Sequence, residues 1–246
     1  MNILKAMQSH AAGDQPEWAN AIELNMFQEV AALTKGVITP GNAFTVLGFA
    51  ANIEACRILR RGNIHEGTLT GEDLVRACAF LAIDGFSDNL DGFAARTTRT
   101  RSPLGRRLDA GTDPIRTLNS FHALWRSGVL PTSVALTLGL ERTATIVPSV
   151  IANLRGNEPV ISSVGKAITA VQRFTGGFYL MSAMFEQLAL EEVNDPQKKE
   201  RYGQFAIHAH NLAVASFTGS VALAVPAAIP YVKAAAGTPQ KHRQAA

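Results

Sequence analysis

The sequence predicts an all-helical fold, and three observations carry that prediction. Apolar residues recur at the three- and four-residue spacing of a helix face through most of the chain. Alternating apolar and polar runs, the mark of strands, are scarce. A closing segment, residues 205–232, holds no Asp, Glu, Lys or Arg, which exceeds the roughly 20 apolar residues that cross a hydrocarbon core.

The elements follow in order. Residues 17–35 carry Trp18, Ile22, Met26, Val30 and Leu33 on one stripe, and Gly36 supplies a stop. Two readings fit: a helix lying in a membrane interface, or a surface helix packed on a core. Thr39-Pro40-Gly41-Asn42 breaks the chain and starts the next element. Helices are expected over 43–59, 74–93, 108–129, 132–154 and 161–185, then a polar stretch over 186–203 and a last helix from 205. Only the last is convincingly transmembrane by composition. The others carry charges, which are expensive in a bilayer unless they face a polar interior. Glu54, Arg126 and Glu141 are expected to face such an interior or one another. Gly176-Gly177 is expected to admit close helix packing.

Hydrophobic residues make up 47% of the 246 and charged residues 17%, below the usual quarter or so. A mean hydropathy of +0.08 suits either an apolar soluble bundle or a membrane protein with unusually polar helices. The net charge of +3 requires no nucleic-acid partner. Its distribution is more informative: Arg96, Arg99, Arg101, Arg106 and Arg107 crowd one segment, which suits the cytoplasmic side of a bilayer or a phosphorylated ligand. Cys56 and Cys78 form no CxxC pattern, so no disulfide framework or zinc site follows. The N-terminus shows no apolar core of signal-peptide length, so insertion would come from internal segments. His208 and His210 are two apart and point to different helix faces, which argues against a second metal site. No GxSxG, HExxH or P-loop pattern is present.

The chemistry concentrates between residues 88 and 113. Asp88 and Asp91 are three apart, and Asp109 and Asp113 four apart, so each pair shares a helix face. A link with Pro103 and Gly105 separates the pairs, which predicts two antiparallel helices bringing four carboxylates together. Bare carboxylates at that density repel one another. They call for hard cations such as Mg²⁺, Mn²⁺ or Ca²⁺, and two ions could clamp a diphosphate. Gly92 and Ala95 keep one face small, and Arg96 offers a fork of donors to phosphate. Every part suits phosphoryl-type transfer, where positioning and charge neutralisation supply most of the catalysis.

The pattern D-x2-D-G-x2-A-R-x8-G-x3-D-x3-D resembles the signature of the CDP-alcohol phosphatidyltransferase family at Asp88, Asp91, Gly92, Ala95, Arg96, Gly105, Asp109 and Asp113. Upstream, Thr39-Pro40-Gly41-Asn42-Ala43-Phe44-Thr45 resembles that family's T-P-N-x-x-T entry, with Gly41 extra. Downstream, Gly165-Lys166, Thr169 and Gln172 resemble the G-K-x-x-T-x-x-Q segment of phosphatidylglycerophosphate-synthase-like members.

The resemblance implies an integral membrane bundle of six transmembrane helices preceded by an N-terminal interfacial amphipathic helix, usually a homodimer. The corresponding division is 1–38 as amphipathic and juxtamembrane segment, 39–235 as membrane domain and 236–246 as polar tail. A CDP-linked lipid, CDP-diacylglycerol, would donate its phosphatidyl group to an alcohol and CMP would leave. Asp88, Asp91 and Asp109 would bind Mg²⁺ or Mn²⁺, two ions in all. Asp113 would be both ligand and catalytic base. Gly92, Ala95, Arg96 and Gly105 would hold the nucleotide and diphosphate, and Asn42 and Thr45 would touch the donor. Lys166 is a candidate for the acceptor's phosphate, or a snorkelling surface lysine.

Glycerol 3-phosphate is the expected acceptor; inositol phosphate, serine or a phosphatidyl lipid are the alternatives, with a catalytically silent helical protein holding a structural cation as a further class. Two departures fall where the acceptor should bind. Asp113 is followed by Pro114 and Ile115, with Arg116 three residues on, where relatives place a basic residue directly. Glu141-Arg142 reverses an expected Arg-Glu. The arginine-rich link and the tail with Lys233, Lys241 and Arg243 predict a cytoplasm-facing site, in a bacterial inner membrane, against which Arg60 and Arg61 run.

Overall fold

The computed structural model describes the backbone of residues 21–100, 103–154 and 163–236, and within these the side chains from residue 26 except those of 103–112, 149, 152–154, 163 and 234. Among the described residues there are seven helices and no strand: α1 Ala21–Leu33, α2 Pro40–Leu59, α3 Gly71–Thr97, α4 Pro103–Arg126, α5 Thr132–Leu154, α6 Ser163–Glu191 and α7 Pro196–Ala236. Trp18, the Ile22 side chain, Lys241 and Arg243 lie outside the described residues, as do the side chains of Arg101, Arg106, Arg107 and Asp109.

Local chemistry explains most boundaries. α1 stops where Lys35 and Gly36 take positive φ, 51° and 79°, and the Gly36 N–H bonds back to the Ala31 carbonyl at 2.7 Å. α2 starts three residues before its expected position. Thr39 caps it by accepting the Asn42 N–H at 3.0 Å, and Pro40 occupies the first helical position. α3 opens on a capping box: Thr70 Oγ1 accepts the Asp73 N–H at 3.2 Å, and Asp73 Oδ2 accepts from the Thr70 backbone at 3.3 Å.

The expected polar stretch over 186–203 is mostly helix. α6 runs to Glu191, and α7 begins at Pro196 with Asp195 accepting the Lys198 N–H at 3.0 Å. Polarity marked an exposed surface there, and Asn194-Asp195-Pro196 is the true break. α7 carries the apolar segment and is long and apolar enough to cross a membrane, with a mean hydropathy of 1.9 over its best window; among the described residues it alone meets that test.

The residues divide into two compact units, one within 1–51 and 82–113, the other within 52–81 and 114–246. The second has a core built from Cys56, Leu59, Leu74, Leu124, Leu138 and Leu180. Gly176 lets α4 approach α6: a β-carbon there would sit 3.2 Å from Leu124 Cδ1 and 3.6 Å from Phe121 Cε1. Gly177 faces open space, so only one of the two glycines serves packing.

Around that apolar core, the second unit also buries polar side chains and exposes large apolar ones. Leu136, Leu140, Phe174, Ile207 and Val225 are each at least 60% exposed, whereas Asn52, Arg116, Gln172, Thr175 and Ser220 are at most 2% exposed. Glu141 is buried, whereas Glu54 pairs with Arg57 on the same helix and Arg126 is exposed. Both lie within six residues of a helix C-terminus.

Glu141 ties three helices together. Its Oε2 accepts from Gln172 Nε2 of α6 at 2.9 Å and from the Ser220 hydroxyl of α7. Beside it, Arg142 Nη1 donates to Thr169 Oγ1 at 2.6 Å. Replacing Gln172 with Leu strips one donor from a buried carboxylate. It should lower stability by about 1–2 kcal/mol, read as a lower unfolding midpoint in detergent, whereas Lys166→Leu on the exposed face of the same helix should leave the midpoint unchanged.

Candidate functional site

The motif aspartates occupy the end of α3 and the start of α4, all within the first unit. α3 extends through Thr97 rather than stopping near residue 93, and α4 begins at Pro103 rather than near 108. Every motif residue is therefore helical, and 98–100 are the described residues of the link. Arg99 helps turn it with φ of 54°, and the Thr98 and Thr100 hydroxyls bond at 2.7 Å.

Asp91 is buried, and Asp88 and Asp113 are half-buried. The Asp109 side chain lies outside the described residues. Among the described residues no group of three or more His, Cys, Asp or Glu is close enough to hold an ion. Geometry explains this for α3 by itself. Asp84, Asp88 and Asp91 follow at i, i+4 and i+7, but residues seven apart stand about 10 Å apart along a helix, which keeps these three from converging on one point. Asp84, half-buried, is the acidic residue on this face that the motif does not include, and its spacing from Asp88 was the available signal.

α2 supplies the support. The Thr45 hydroxyl, itself buried, donates to Asp91 Oδ2 at 3.0 Å, with the Gly41 carbonyl as competing acceptor at 3.3 Å. The bond fixes the orientation of the Asp91 carboxylate against α2. Asn42 has a structural task. Its Nδ2 bonds the Gly36 and Val37 carbonyls at 3.0 and 2.9 Å, locking the entry to α2.

Gly41, the extra residue of the T-P-G-N segment, is where α2 meets α3. A β-carbon there would lie 3.1 Å from both the Ala95 Cβ and the Asp91 carbonyl oxygen. Gly41 and Ala95 thus pack closely on one another. Gly92 leaves room for Arg96, whose Nη1 would be 3.2 Å from a β-carbon at Gly92. Gly105 lies in the first turn of α4, and Lys166 is exposed on α6 in the second unit. Pro114 sits inside α4, and Arg116 is buried at 2% exposure.

A family model described as CDP-alcohol phosphatidyltransferase matches residues 38–217. The chain belongs to that family. It is therefore a transferase of the class that moves substituted phosphate groups, and the family reaction moves a phosphatidyl group from a CDP-alcohol in phospholipid synthesis. Members are membrane-associated, in keeping with α7. No curated protein and no solved structure matches the chain. The matched segment begins just before the Thr39 cap and runs into α7, so all motif residues and the Thr45 support belong to the transferase core.

Enlarging Gly41 tests that support. Gly41→Val should drive α2 from α3 and break the Thr45–Asp91 bond, lowering the unfolding midpoint and the transferase rate together. Thr45→Val removes only the hydroxyl and should cost about 1 kcal/mol of stability, measured by detergent unfolding, with a larger proportional fall in rate.

Proposed function

We propose that this transferase moves the phosphatidyl group of CDP-diacylglycerol to glycerol 3-phosphate and releases CMP, in the manner of phosphatidylglycerophosphate-synthase-like members. The observation that carries this reading is the unbroken Asp88-to-Asp113 signature inside the matched segment, with its buried aspartate oriented by Thr45.

The donor set fits divalent metal. It consists of carboxylates only, with no thiol or imidazole in the motif, which favours Mg²⁺ or Mn²⁺ over softer ions. Asp88, Asp91, Asp109 and Asp113 would hold two ions, which neutralise the diphosphate and the charge that builds on the leaving oxygen. Arg96 pairs with the diphosphate, while Gly92, Ala95 and Gly105 keep side chains out of the nucleotide's way. Asn42 and Thr45 border the donor. Asp113 takes the proton of the acceptor hydroxyl as that oxygen bonds to the lipid-side phosphorus and the phosphoanhydride bond to CMP breaks. Lys166 meets the acceptor's phosphate.

Six helices, α2 to α7, each have at least 20 residues. At about 1.5 Å per residue that length spans a hydrocarbon core. Buried polar and exposed apolar side chains in the second unit favour the same reading: a six-span domain over 39–235, with a polar tail over 236–246. α1 then lies in the interface, within the 1–38 segment. Its Met26 and Leu33 are 53% and 84% exposed, so the predicted stripe is not covered by a core. The protein works as a homodimer in a bacterial inner membrane, with the arginine-rich link and the site facing the cytoplasm.

Purified protein should release CMP from CDP-diacylglycerol with glycerol 3-phosphate and Mg²⁺ or Mn²⁺, and chelation should stop it. Product masses across a panel with inositol phosphate, serine and phosphatidyl lipids identify the acceptor. Absence of CMP with every acceptor would sink the reading in favour of a silent protein with a structural cation. Asp113→Asn should lower the rate by about a hundredfold or more while calorimetry still detects metal at the remaining carboxylates.

A further inference from the structure

We draw no further inference here: the strongest candidate, the Glu141–Gln172 pair buried between α5 and α6, keeps one carboxylate oxygen and one amide oxygen without a hydrogen-bond partner among the described residues, but nothing in the structure shows what meets them.

Discussion

The buried Glu141 carboxylate is the interaction on which the second unit depends. A charge-bearing group inside a helical bundle is tolerable only if donors meet it, and here α6 and α7 each supply one through Gln172 and Ser220. A single acceptor therefore sets the register of two helices against α5. The adjacent Arg142–Thr169 bond acts one turn away on the same pair of helices. Apolar packing is nondirectional; these polar contacts favour one rotational setting of each helix, and the large apolar side chains are left free to point outward.

The same contacts give each residue of the Glu141-Arg142 pair its own partner on α6. Thr169 and Gln172, two residues of the G-K-x-x-T-x-x-Q segment, are the partners of Arg142 and Glu141 respectively. The remaining glycine of that segment is also structural: a β-carbon at Gly165 would collide with the Tyr231 hydroxyl, 2.2 Å away. The segment thus fastens α5, α6 and α7 to one another, and Lys166 is its exposed member.

Helix identity was legible because apolar periodicity and a cap such as Thr39-Pro40 are local signals; the Asn194-Asp195-Pro196 break was hidden by the polar composition around it. Boundaries near 97, 103 and 191 were less so, since charged residues on an exposed helix face resemble a loop in composition. The signature aspartates could be read from spacing alone. The partners of Thr45 and Gly41 could not, because a contact between helices 46 residues apart leaves no local trace. Gly41 looked like an insertion and is a contact point. Asn42 looked like a ligand contact, and its amide nitrogen bonds two backbone carbonyls.

Arg96 shows what the smallest residue of the signature does before any ligand arrives. With nothing but hydrogen on the Gly92 α-carbon, the guanidinium can rest against the helix backbone one turn back. A long cationic side chain normally loses about 1.5–2 kcal/mol of rotational freedom when a ligand immobilises it. A side chain already leaning on its own helix has surrendered part of that freedom beforehand, so less is lost on capture of an anion. With Arg96 on the diphosphate as proposed, the glycine would thereby act as an entropic device, contributing to affinity through a groove that a methyl group would fill.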